Sequence, residues 1–173
     1  MALTKLNYTG QGTIPIASIP TITGAKMPAG SVLQTITSPF NSIKAVNSTS
    51  YIAMGHSLQI TPLSTSSKIL LRVSGGYPWN GNNLNIQKYF TIYRDSTDLG
   101  NLNYGLEGLY SNTYFAHPHS FEVYDTTHNT TSQITYAIYG RGSTTAVGYY
   151  SAGSGGPTGD PTTILFTAME IKG

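Results

Sequence analysis

Over residues 31–173 the chain is built of short runs in which apolar and polar residues alternate, separated by clusters of turn-forming residues. The clearest run is 68–74, where Ile69, Leu71 and Val73 would line one face of a strand. Roughly eight such runs at this spacing, without any helical periodicity, are typical of a sandwich or barrel. The runs therefore predict an all-β fold, and of these two architectures we favour an antiparallel, jelly-roll-like β-sandwich head over this range.

The composition agrees with strands and turns and excludes several classes of function. Only 9% of the residues are charged, against roughly 25% in an average globular domain, and tyrosine alone occurs 13 times. A net charge of +2 is too small to indicate a nucleic-acid partner. The absence of cysteine excludes disulfides and thiolate chemistry. No apolar run approaches the length of a membrane span, so we expect no membrane insertion, and we expect no cofactor.

Residues 1–30 form a segment of different character. Prolines interrupt it at several points, and each pushes the preceding residue toward extended geometry. Yet the segment is apolar, and its isoleucines would be exposed on a lone chain: Ile14, Ile16, Ile19 and Ile22. We predict an extended anchoring arm that lies on a partner protein, the alternative being a floppy terminus.

Several short blocks along the chain resemble a group of phage tail-fibre and virion surface proteins that is common in marine and cyanobacterial phages. The first block is Gly-Ser-Val-Leu-Gln, which follows the leader, and the last is Thr-Ala-Met-Glu-Ile near the end. The blocks fall in the same order over most of the head, at residues 30–34, 57–62, 64–70, 93–97, 124–125, 134–136 and 167–171.

The resemblance implies a β-sandwich head, usually trimeric, at the end of a fibre or on the particle surface, without a catalytic site. We therefore expect a short trimeric tail fibre of a bacteriophage, made in the cytoplasm of the bacterial host. Its arm would attach to tail or baseplate proteins of the virion, and its head would bind host surface polysaccharide. The alternative is a capsid decoration (cement) protein that stabilises the shell.

The run 87–94 agrees with a homotrimer. Phe90 and Ile92 would lie on one face of the strand, and Tyr89 and Tyr93 on the other. A sandwich needs only one apolar face per sheet, so a second apolar face is available for neighbouring subunits in a closed ring. Three heads would also let weak glycan sites act together.

Two loops rich in aromatic residues are the candidate binding surface. Aromatic rings can stack on a sugar face, and amide side chains can hydrogen-bond its hydroxyls. The candidate glycan-binding residues are Tyr77, Trp79, Asn80, Asn82, Tyr104 and Tyr110. The alternative is that Trp79 and some of the tyrosines fill the core or a subunit interface.

Other chemistry has little support in the sequence. The seven acidic residues contain no pair marked for glycoside hydrolysis, and no nucleophile-elbow motif occurs, so we expect no enzyme activity and no catalytic residues. His117 and His119 flank a proline and would point the same way from an extended backbone. Near a threefold axis such pairs could form a metal site, but we favour the interpretation that they simply precede the strand at Ser120.

Overall fold

The computed structural model describes residues 24–76, 79–80, 86–111, 115–116, 120–145, 148–151 and 163–173. In these ranges the chain forms thirteen β-strands, all in antiparallel pairs, and one short 3-10 helix at Gly24–Lys26. The predicted all-β, antiparallel fold class is confirmed. The arm isoleucines Ile14, Ile16, Ile19 and Ile22 lie outside the described residues.

Two larger sheets and one small sheet contain these strands, which we number in chain order. The first sheet has the order β1 (Val32–Phe40), β13 (Ile164–Ile171), β4 (Lys68–Ser74), β10 (Ser120–Asp125). The second sheet has the order β3 (Ile52–Ile60), β11 (Ile134–Gly142), β6 (Ile86–Arg94), which then pairs with both β7 (Thr97–Asp98) and β8 (Glu107–Ser111). The small sheet has the order β2 (Ile43–Val46), β12 (Gly148–Ser151), β5 (Trp79–Asn80), β9 (Phe115–Ala116).

The connectivity of the eight longest strands is that of a jelly roll. The strand β1 pairs with β13, β3 with β11, β4 with β10, and β6 with β8. This nested pairing results when a chain of eight strands folds back on itself as one long hairpin. The four strand pairs are then divided between the two sheets, with β1–β13 and β4–β10 in the first and β3–β11 and β6–β8 in the second.

The core lies between the two larger sheets and follows the alternation in the sequence. Ile69, Leu71 and Val73 are fully buried, as the pattern of β4 predicted, and Phe90 and Ile92 are buried from the facing sheet. Each such side chain contributes about 1.5–3 kcal/mol by leaving water. The two-residue period along each strand therefore explains why one face of each sheet is buried against the other.

His56 is a polar residue inside this core, on β3. Its ring stacks on Phe40 at 4.5 Å between centroids, and its Nε2 atom lies 2.9 Å from the Ser42 hydroxyl. Burial lowers the pKa of His56 to about 4. The folded protein therefore keeps this imidazole neutral at a pH where the unfolded chain would protonate it.

We expect stability to fall as the pH is lowered through this window. Above pH 6.5 the His56 imidazole is neutral in both the folded and the unfolded chain, so it has no effect on how stability varies with pH. Between pH 6.5 and about 4 only the unfolded chain binds the proton, so the free energy of unfolding falls by at most about 1.4 kcal/mol for each pH unit. Urea unfolding at a series of pH values measures this slope. His56→Met should flatten it between those two values, and an unchanged slope in that variant would contradict the assignment.

Candidate functional site

The structure brings two of the predicted binding residues together and places two others in a different sheet. Tyr104 and Tyr110 line one cleft, and both are exposed, by 63% and 58%. Trp79 and Asn80 form β5 in the small sheet, whereas the cleft lies on the second sheet. Tyr77 and Asn82 lie outside the described residues.

The cleft has a volume of about 320 Å³ and opens on the outer surface of the second sheet. Six residues line it: Gln87, Tyr89, Tyr104, Gly108, Leu109 and Tyr110. Tyr104 and Tyr110 are exposed and Gln87 carries a primary amide, so the walls offer ring faces with hydroxyl and amide groups at their edges, while Tyr89 is buried beneath them.

The register between β6 and β8 creates the floor of the cleft. Gln87 lies opposite Tyr110 and Tyr89 lies opposite Gly108, so these side chains share the outer face of the sheet. A Cβ atom at Gly108 would lie 3.3 Å from the Tyr89 ring. The glycine therefore lets the Tyr89 ring lie flat across the neighbouring strand.

A tight loop holds Tyr104 above this floor. The side-chain carbonyl of Asn101 accepts hydrogen bonds from the amides of Asn103, at 2.9 Å, and Tyr104, at 3.2 Å. Gly105 closes the loop with a φ of 67°, which a residue with a side chain would adopt only with strain. The Tyr104 ring consequently meets Tyr89 edge to face, at 5.8 Å between centroids.

Arg141, on β11, ties the loop to the sheet. Its guanidinium lies 4.7 Å from the centre of the Tyr89 ring and 5.5 Å from that of Tyr51, within the range of cation–π attraction. It donates hydrogen bonds to the carbonyls of Asn103, in the loop, and Thr49. Arg141 therefore fixes both the loop and the ring that forms the cleft floor.

Sequence reasoning missed Arg141, Tyr89 and Gln87 as site residues. The signal that could have found them is the outward position of Tyr89 and Gln87 on their strand, which places both side chains on the outer face of the sheet. Burial raises the pKa of Tyr51, against the opposing effect of Arg141. Tyr51 therefore keeps its hydroxyl proton at neutral pH and contacts Arg141 as a neutral ring.

The buried carboxylate of Asp125 stabilises the fold. Asp125 accepts two hydrogen bonds from Arg94, at 2.8 and 3.0 Å, one from the Tyr136 hydroxyl at 2.7 Å and one from the Thr127 amide at 3.0 Å. Burial raises the pKa of Asp125, but these hydrogen bonds and the Arg94 charge outweigh it, and the pKa lies below its usual value. A carboxylate so thoroughly bonded is a structural anchor.

A second buried cluster contains serine, histidine and glutamate but has the wrong geometry for nucleophilic catalysis. The Ser67 hydroxyl donates to the Glu170 carboxylate at 2.6 Å. The Nε2 atom of His128 lies 2.9 Å from the Ser67 carbonyl, so it must carry a proton to bond there and cannot accept one from the hydroxyl. Glu170 also accepts hydrogen bonds from the Leu63 and Ser64 amides. The cluster therefore stabilises the turn that contains Leu63 and Ser64.

The remaining candidates are not brought into a site. Among the described ranges, no three His, Cys, Asp or Glu side chains are placed to hold a metal ion. His117 and His119 lie outside those ranges, so metal binding by the pair stays a prediction. In the same part of the chain no helix has the length and apolarity needed to cross a membrane.

The chain matches no protein-family model and no curated protein.

Proposed function

We propose that this protein is a virion structural protein of a bacteriophage, a short trimeric tail fibre whose head binds host surface polysaccharide. The observation that carries the proposal is the cleft, in which Tyr89, Tyr104 and Tyr110 converge beside the Gln87 amide. The block resemblance along the head supports the assignment to a phage particle, and the jelly roll is a fold used by viral and lectin domains.

The chemistry of the cleft suits a carbohydrate. A sugar ring has an apolar face for stacking and hydroxyls around its edge, and the cleft supplies rings and polar groups in the same arrangement. Its volume of about 320 Å³ is at the small end of the range for ligand sites, which suits one or two sugar units of a polymer. Individual contacts of this size are weak, and three heads on one fibre would raise the overall avidity.

Removing either exposed ring should weaken glycan binding. We expect Tyr104→Ala and Tyr110→Ala each to lower the affinity of one head for host polysaccharide by about tenfold, since each deletes a stacking surface worth about 1–1.5 kcal/mol. Isothermal titration calorimetry with polysaccharide purified from the host surface measures the change.

Leu102→Ala is the matched control, because Leu102 lies in the same loop, is 76% exposed and does not line the cleft. It should bind like the parent protein. Equal affinity in both tyrosine variants would contradict the site, and the absence of binding by the parent would contradict the glycan function.

The position in the particle separates the fibre from the capsid alternative. Immunogold electron microscopy of purified virions should place the protein on the tail, in a few dozen copies at most. Label distributed over the shell in hundreds of copies would instead assign it as a cement protein.

A further inference from the structure

The outer face of the first sheet carries an apolar patch among polar side chains, and its residues are exposed or half-buried in the described chain. Met169, Leu70 and Tyr124 lie side by side on three adjacent strands, as the registers of β13, β4 and β10 show. Tyr124 is 53% exposed, and Leu165, further along β13, is 42% exposed. The outer face of an antiparallel sheet that meets water is normally polar, so this face has the character of a contact surface.

The outer face of the second sheet differs. The outward residues of β3 are small or polar, among them Ala53, Ser57 and Gln59. Tyr89, which the sequence suggested as part of an interface, is only 8% exposed, because Arg141 and the loop carrying Tyr104 pack on it. The chain covers Tyr89 with its own residues, and the exposed residues of β3 are small or polar, so the apolar patch on the first sheet is the better interface.

Two opposite charges lie on the same outer face of the first sheet. Arg72 and Glu122 are direct cross-strand neighbours on β4 and β10, and both are exposed. Arg72 and Glu122 form no ion pair with each other or with any other described residue. In a closed ring of three copies the arginine of each copy can meet the glutamate of the next, so an unpaired cation and an unpaired anion on this face fit a contact between copies.

We propose that the outer face of the first sheet, centred on Leu70, Met169, Tyr124 and the Arg72–Glu122 pair, is the contact between copies of this chain. The inference rests on the trimer in the proposed function and specifies which surface builds it. The glycan cleft lies on the other sheet, so subunits joined in this way would keep their clefts open to the outside.

A charge placed in the face tests the proposal. Leu165→Glu should change the particle mass from that of a trimer to that of a monomer, measured by light scattering after gel filtration at micromolar concentration. Gln59→Glu places the same charge at an exposed position on the outer face of the other sheet and should remain trimeric. Circular dichroism of each variant checks that the head is folded.

The exposed charges give a second test that does not depend on an apolar substitution. Arg72→Glu makes the face wholly acidic at this point and Glu122→Arg makes it wholly basic, so each variant alone should dissociate at concentrations at least tenfold higher than the parent. In a mixed trimer two of the three contacts would pair opposite charges and one would pair like charges, so an equimolar mixture of the two should assemble at lower concentration than either variant alone. Folded variants whose mixture behaves as either does alone would overturn the pairing.

The outcomes separate this inference from the function on which it rests. If Leu165→Glu and both charge variants stay trimeric, the interface lies elsewhere, and the glycan-binding trimer is unaffected. If the parent protein is a monomer, the interface is overturned together with the trimeric state, whereas the cleft can still be tested by calorimetry.

Discussion

Replacing Asp125 with alanine should lower the free energy of unfolding by about 3–5 kcal/mol, because Arg94 would lose its partner at a site largely shielded from water. The Asp125 side chain is fully buried and that of Arg94 is only 18% exposed. The Tyr136 hydroxyl, also buried, would lose its acceptor. Guanidinium unfolding followed by circular dichroism measures the loss.

Two further variants give reference values for the loss of unfolding free energy in Asp125→Ala. Tyr136→Phe removes one hydrogen bond to the carboxylate and should cost about 1 kcal/mol. Ser120→Ala changes an exposed residue at the start of the same strand and should stay within about 0.5 kcal/mol of the parent. A cost below about 1 kcal/mol for Asp125→Ala would show that the ion pair does not hold the two sheets together.

Deleting residues 2–23 should leave a folded, trimeric head that fails to join the virion. The described sheets and core are formed by residues 32–171, and the segment 24–30 has its own anchor, since the Gly30 amide donates to the Lys172 carbonyl at 2.8 Å. Light scattering reports the trimer, and immunoblotting of purified particles counts the copies incorporated.

A full-length variant separates the length of the arm from its apolar character. Replacing Ile14, Ile16, Ile19 and Ile22 with serine keeps the length but removes the surface expected to lie on a partner, so incorporation should fall as it does in the deletion. Normal incorporation of the truncated protein, or its aggregation during expression, would contradict the role of the arm.

The strands were predictable because their signal is local. Alternation at Ile69, Leu71 and Val73, and again at Phe90 and Ile92, follows from the two-residue period of an extended chain, and each of these residues is buried as predicted. The number and spacing of such runs indicated a sandwich or a barrel, and the block resemblance favoured the sandwich. Which strand lies beside which depends on contacts between distant segments, and the small sheet that contains Trp79 had no signature in the sequence.

The candidate site was only partly predictable for the same reason. Composition marked Tyr104 and Tyr110 as exposed aromatic residues, but their meeting around Tyr89 depends on the register of β6 with β8. Arg141 comes from a strand 31 positions beyond Tyr110 in the chain, and no spacing rule links the two. The proposed interface shows the same limit, because the sequence suggested the strand of Tyr89 while the fold covers that tyrosine and leaves Leu165 and Tyr124 exposed.

The sequence by itself determined that this chain folds into β-strands with one buried face, since the periodicity of side chains is a property of each strand alone. Its few charges and its lack of cysteine also left aromatic and amide side chains as the candidate binding groups. Only the tertiary structure decided which rings form a cleft, which carboxylates are anchors and which sheet face carries the apolar patch. These depend on strand register and on the packing of loops over one face of a sheet, where residues far apart in the chain become neighbours.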